Sequence, residues 1–339
     1  MRILILSLTY PLFLGTNAQQ ILHYTETSGF DHQTRSQSLT MFQDIAQAIG
    51  ATVVDDNTGD PFNDLNTLQQ FGMVVFSNTS GDGILDAQQR TNFEAYINAG
   101  GSVMGIHAAS DTYRHSTANG GSTGTWDFYP ELIGASVQQN PNHVSGTPQY
   151  AMQHIGQHPS TALLPDPWTK NEEYYYWENG YYRQDNVPVL EVEETIGPNN
   201  VVNSYDAPRP MSWYRELPQG GRMFYTALGH AVSNFTSDML FRQHIAQALA
   251  WVLDLSTAIA EEPRTGLDHL DITWWNDELT IRVGSELIGS AFTLHDNAGR
   301  IIRGGMLHEA ATTVRTAAVA TGSYYVTVKG TSRHVMIMR

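Results

Sequence analysis

Three histidines and a group of aromatic side chains carry most of the chemistry this sequence can offer. The segment "GSVMGIHAASDT" (101–112) reads as a buried strand running into a turn of small residues, with His107 at its tip. His32 follows "SGFD" and His230 closes "YTALGH", so each stands where an apolar run gives way to a turn. An imidazole titrates near neutrality and can transfer protons or bind a metal. His32, His107 and His230 are therefore candidate acid/base groups and, equally, candidate ligands of a divalent ion. No H-x-x-x-H or other short ligand spacing singles out the metal alternative. Asp111, four residues past His107, either holds the second nitrogen of an imidazole, contacts a sugar hydroxyl or caps the turn "SDTYR". Trp213 and the run Tyr174, Tyr175, Tyr176, Trp177, Tyr181 and Tyr182 suit stacking on a saccharide face. The same aromatics would equally cover one end of a sheet.

Acid/base groups of this kind need elements that deliver them to one place. From Gln20 to about Asp254 the pattern alternates. "ILHYTETSG" is strand-like, "SQSLTMFQDIAQAIG" is an amphipathic helix ending at Gly50, and "ATVVDD" and "FGMVVFSNTSGDG" are strands. "LDAQQRTNFEAYINAGG" is a helix closed by glycines, and "SVMGIH" is a strand. Apolar strands separated by helices predict an α/β fold with a mainly parallel sheet flanked by helices. In such sheets ligands bind beyond the carboxyl ends of the strands, which is where His32, Asn78, Ser80 and His107 fall. Residues 113–215 read as irregular, a functional connection with short strands such as "VPVLEVEE". His143, His154 and His158 lie there, and the His-Pro pair of "GQHPSTALLP" reads as a turn. "GGRMFYTALGH" predicts a last strand, and "SDMLFRQHIAQALAWVLDL" a long helix with Ser237 as its N-cap. Arg222 either bonds an anionic group or pairs only with Glu216, and it reads as structural.

The net charge of -16 excludes a basic face for nucleic acid or anionic membranes. With 41% hydrophobic and 15% charged residues the composition is that of a folded chain. There is no Cys, which rules out a thiolate nucleophile, and Lys occurs only at Lys170 and Lys329. The N-terminal "MRILILSLTYPLFLGTNAQQ" has the layout of a secretory signal peptide over residues 1–18, and no later stretch is apolar enough for a membrane helix. The expected organisation is a signal peptide (1–18), an α/β domain (19–255), a linker (256–266) and a β-sandwich (267–339) of short alternating strands.

Two resemblances add to this reading. "LHDNAGRII", "GSYYVTVKG" and the closing "SRHVMIMR" resemble the C-terminal sorting domain of the type IX secretion system. That resemblance implies outer-membrane export, with the type IX machinery as a partner and a secreted or cell-surface location. "SGFDHQTR" (28–35), "GGSVMGIHAASDT" (100–112), "WDFYPELIGA" (126–135), "NEEYYYW" (171–177), "RPMSWYRELPQGGRMFYTALGH" (209–230) and "FRQHIAQALAWVL" (241–253) resemble the ThuA-like (trehalose utilisation) family. The family's fold is similar to class I glutamine amidotransferases, in which the strand ending at Ile106 would deliver a catalytic Cys. Here His107 stands in that place, so glutamine hydrolysis through a thioester is excluded. The resemblance makes Glu173 a general base, metal ligand or hydroxyl acceptor and adds Trp126 to the substrate-binding candidates, while Glu172 reads as a solvated carboxylate. It implies an exported enzyme, a hydrolase, lyase or isomerase, acting on a disaccharide or keto-sugar by His/Glu acid-base chemistry. The alternative is a non-catalytic saccharide-binding protein on the same fold.

Overall fold

The computed structural model describes residues 19–192, 209–255, 270–275, 277–296, 299–329 and 331–337. The expected signal peptide (1–18) and linker (256–266) lie outside the described residues. In chain order the α/β part runs β1 (Gln20–Tyr24), α1 (Arg35–Ile49), β2 (Thr52–Asp56), α2 (Leu65–Leu68), β3 (Phe71–Ser77), α3 (Ala87–Asn98) and β4 (Ser102–Ile106). It continues through α4 (Phe128–Ile133), β5 (Ala135–Ser136), β6 (Gln149–His154), β7 (Trp168–Asn171), β8 (Tyr181–Tyr182) and β9 (Val187–Val192). The last elements are β10 (Arg209–Glu216), β11 (Arg222–Thr226), α5 (Val232–Thr236) and α6 (Met239–Val252).

Nine strands form one sheet in the order β2-β1-β3-β4-β11-β10-β9-β6-β7. The five strands from β2 to β11 are parallel to their neighbours, as the alternating pattern predicts. From β11 outward the pairing turns antiparallel. The segment that reads as irregular thus contributes a second, antiparallel half of the same sheet. Its strands are short and partly polar, as in "QYAMQH", and their pairing partners are distant in sequence, so no local period marks them.

Local physics accounts for the helices. In α1, Ser38, Met41, Phe42, Ile45 and Ala46 recur at three- and four-residue spacing and turn one face onto the sheet. Gly50 ends the helix in the left-handed region at φ 73°, which a residue without Cβ adopts freely. Asp86 and Gln89 form a capping box on α3. The cap of α6 corrects the expectation of Ser237. Asp238 accepts from the Phe241 amide, because Ser237 instead closes α5 and its hydroxyl bonds the Ser233 carbonyl.

Beyond α6 lie seven strands: β12 (Leu270–Trp275), β13 (Glu278–Val283), β14 (Ala291–Asp296), β15 (Ile301–Met306), β16 (Ala311–Arg315), β17 (Gly322–Val328) and β18 (Thr331–Ile337). They form antiparallel sheets β12-β13-β16 and β15-β14-β17-β18. Leu279, Ile281, Leu294, Val326 and Val328 supply the buried positions of an alternating pattern. Gln243 of α6 donates to the Trp274 carbonyl at 3.0 Å, tying this part to the α/β part.

Two histidines are used purely as packing. His158 is buried against Tyr214 and Phe224, and His244 is buried between Ser212 and the Ser160 carbonyl. Burial holds their pKa values down, to about 3 for His158 and about 4 for His244. The unfolded chain binds protons on these rings below about pH 6.5 while the folded one does not, so stability is full above that pH and falls as pH drops toward 4. At pH 5.5 the pair should cost about 2–3 kcal/mol relative to pH 7.5, at about 1.4 kcal/mol per pH unit each. NMR of the imidazole carbons should show both rings neutral across that range. A midpoint near 6.5 for either ring would contradict this.

Candidate functional site

His107 follows the last residue of β4 and adopts φ 47°, a left-handed conformation unusual for a residue with Cβ. The strained turn swings its ring over the carboxyl edge of the sheet. Nδ1–H donates to the Ala227 carbonyl at 2.6 Å, which fixes the tautomer and leaves the Nε2 lone pair facing inward. Nε2 lies 2.9 Å from the Tyr175 hydroxyl and 3.3 Å from Glu173 Oε2. His230 Nδ1 lies 3.2 Å from that same oxygen, and His32 Nε2 lies 4.0 Å from it. The three rings meet edge to face, with centroids 4.8–5.4 Å apart. Each of His32, His107, Glu173 and His230 offers one ligand atom, and those atoms all lie within 4.8 Å of one another. The structure brings together the four residues expected to carry the chemistry.

The electrostatics are those of an anion ringed by imidazoles. Desolvation pushes the Glu173 carboxyl up, but the surrounding imidazoles of His107, His230 and His32 together outweigh it and hold it far below the usual carboxylate range. Its negative charge raises His230, whereas burial lowers His32. His32 Nδ1 and His230 Nδ1 are buried without a hydrogen-bond partner. The ligand atoms of the four residues converge on one point, which is the observation that points to a bound ion. The observed separations from Oε2 bracket the edge of about 3.4 Å expected between ligands of a tetrahedral ion with bonds of about 2.1 Å. Three imidazoles and one carboxylate suit zinc or another first-row divalent ion. The His107 Nδ1–carbonyl bond is the orienting contact metal-bound histidines usually make.

Two residues organise this set, and neither is marked by a site motif. Asn78, buried at the end of β3, donates from Nδ2 to Thr34 Oγ1 (2.8 Å) and to the Gly229 carbonyl (3.0 Å). Its Oδ1 accepts from the Ala108 amide at 3.3 Å. One carboxamide therefore joins the loops that bear His32, His107 and His230. Its position after a strand is legible in the sequence, but its partners are not. Glu172 corrects the reading of a solvated carboxylate: it is 1% exposed and accepts from the Gly229 amide, the His230 amide and Asn234 Nδ2. A further histidine, His143, sits 3.2 Å from Glu173 Oε1, opposite the cluster, with Nδ1–H donating to Val144 O. No spacing in the sequence distinguishes it from His154.

Of the expected aromatic platform Tyr175 reaches the site, its ring stacked on His107 with centroids 4.5 Å apart, whereas Trp213, Tyr174 and Trp126 are packed in the core. Trp213 has no exposed surface, and its indole N–H donates to the Ile133 carbonyl. Tyr174 is equally buried and bonds Lys170 O, while Trp126 is 8% exposed and bonds Glu94. Sheet and helix packing covers the faces a sugar would need. Asp111 keeps 30% of its side chain exposed, 3.6 Å from Arg114, and partial burial raises its carboxyl to about 6. Arg222 is structural as expected, but it bonds the Trp251 carbonyl and Asp254 rather than Glu216.

An α/β sheet presenting a three-histidine, one-carboxylate cluster at its carboxyl edge defines the class of protein. The chain belongs to the ThuA family, described as trehalose utilisation, whose model matches residues 20–252. A ThuA-like protein from Bacteroides uniformis shares 18% identity at TM-score 0.53, over 72% of this chain and 95% of that one. One from Parabacteroides merdae shares 14% at TM-score 0.52, over 70% and 90%. A glutamine amidotransferase from Thermotoga maritima aligns with 10% identity at TM-score 0.40, over 70% and 99%. No curated protein matches the chain.

Replacing Asn78 by Ala should orphan three buried partners and destabilise the fold by about 2–4 kcal/mol in urea unfolding. Because the variant loosens all three histidine loops, it should also weaken divalent-ion binding about 10- to 100-fold. Unchanged stability and affinity would remove Asn78 from this role.

Proposed function

We propose that the chain is an exported carbohydrate-active enzyme whose centre is His32, His107, Glu173 and His230, holding a divalent metal. The convergence of one ligand atom from each of His32, His107, Glu173 and His230, all within 4.8 Å of one another, carries the proposal. The family description, trehalose utilisation, supports a disaccharide as substrate, and a keto derivative of one is the alternative proposed with it. A bound ion would supply Lewis-acid polarisation of a sugar carbonyl or hydroxyl.

The chain's own residues do the rest. Side-chain exposure runs from 0% at His107 through 5% at His32 to 27% at His230 and 24% at His143, so the centre opens on the side of the last two. A ligand entering there meets Glu173 between two sets of partners, with Oε2 toward the cluster and Oε1 toward His143. His143 flanks the carboxylate with Nε2 3.2 Å from Oε1, and the Tyr175 hydroxyl meets His107 Nε2 from a buried ring. Asp111, poised near neutrality, is placed to exchange a proton with a substrate hydroxyl.

Export and sorting belong to the same proposal. The signal-like N-terminus and the resemblance of the tail to a type IX sorting domain support a secreted or surface location, and the tail's strands carry no part of the cluster.

Elemental analysis of the purified chain should find about one equivalent of a first-row divalent metal in the wild type and little in His107→Ala. Saccharide and keto-saccharide turnover should fall at least 100-fold in the variant. A wild type without metal that binds no added divalent ion would overturn the metal reading. Intact saccharide binding with no turnover in the metal-loaded wild type would favour the binding protein.

A further inference from the structure

Trp213, Tyr174 and Trp126, expected to hold a sugar, are buried, yet the rim of the centre carries an aromatic ring that is not. Phe30 is 67% exposed, the most exposed large hydrophobic side chain among the described residues. It stands two residues before His32, and its ring meets the His32 ring edge to face at 4.9 Å. Val232, two residues past His230 at the start of α5, is 40% exposed. The loops bearing two of the four cluster residues therefore each hold an apolar group in water beside a polar centre.

The backbone under Phe30 is fixed. Ser80 Oγ–H donates to the Phe30 carbonyl at 2.6 Å, and the Ser28 and Gly29 amides donate to the Ser80 carbonyl at 2.9 and 3.3 Å. The Gly83 amide donates to Ser28 Oγ at 2.9 Å. Gly81 lies at φ 85°, where a Cβ would come within 2.5 Å of the Gly29 nitrogen, so the two loops touch backbone to backbone. An apolar ring with little of its surface buried gains little from folding, whereas a rigid loop that presents it removes an ordering cost from binding.

We infer that Phe30 is the stacking platform for a pyranose ring of the substrate and so sets the ligand class of the centre. A pyranose has an apolar C–H face and a hydroxyl edge. The phenyl offers the matching face, while Asp31, Gln33 and Asp111 are exposed or partly exposed polar groups around it. Val232, two residues past His230, is a second exposed apolar group on a loop that bears a cluster residue. The inference rests on the proposed saccharide chemistry of the centre.

The test is calorimetric titration of the full-length, metal-analysed protein with trehalose, its 3-keto derivative and the open-chain polyol sorbitol. Phe30→Ala and Phe30→Leu should each weaken affinity for the ring sugars about tenfold, whereas Phe30→Trp should restore it, because a flat face is what matters. Metal content should match the wild type in all three, and sorbitol binding should be the same in all. Equal affinity of the wild type and Phe30→Ala for a ring sugar would overturn the platform and leave the saccharide reading standing. A wild type that binds neither ring sugar would overturn both. Loss of metal in Phe30→Ala would make Phe30 a support for His32, which overturns the platform role.

Discussion

The Asn78 carboxamide is the point on which the rest of the site depends. Three loops leave the carboxyl edge of the parallel strands, each carrying one histidine, and nothing in their own sequences keeps them in register. Asn78 bonds all three from a position 4% exposed, where water cannot substitute for a lost partner. It does so at φ 52°, a left-handed conformation that asparagine tolerates better than most residues. The turn after β3 therefore acts as a fixed anchor on which the histidines of β1, β4 and β11 converge.

Glu172 and Glu173 show how neighbouring residues of one type take opposite tasks. Glu172 turns inward, where its carboxylate is satisfied by the Gly229 and His230 amides and by Asn234, with Lys170 Nζ 3.7 Å away. Glu173 enters the cluster, where imidazoles surround it. The first carboxylate sets the backbone that carries His230, and the second meets its ring. Burying two anions this close is costly unless each has its own donors, and the segregation of their partners is what allows it.

Much of the parallel half was legible in the sequence because its signals are local: α1, α3, β3 and β4 are marked by apolar period and by Gly and Asp caps. His32, His107 and His230 were legible for the same reason, since each stands where an apolar strand ends in small residues. What stayed hidden depends on contacts distant in the chain. Nothing in "NEEYYYW" separates Glu172 from Glu173, and nothing local places His143 beside either. Trp213, Tyr174 and Trp126 carry the composition of a sugar platform but are core residues, because aromatic content does not report which face packs. Phe30 carries no such signal for the converse reason, as a lone phenylalanine beside glycine in a loop. The antiparallel half of the sheet escaped for want of a clean period in its short strands.

The most direct test of the central claim is X-ray absorption at the edge of the bound metal in the wild-type protein. The expected first shell is about three imidazole nitrogens and one carboxylate oxygen near 2.1 Å, with the outer-shell scattering that imidazole rings give. A metal shell without imidazole scattering, or a protein that takes up no divalent ion, would contradict it.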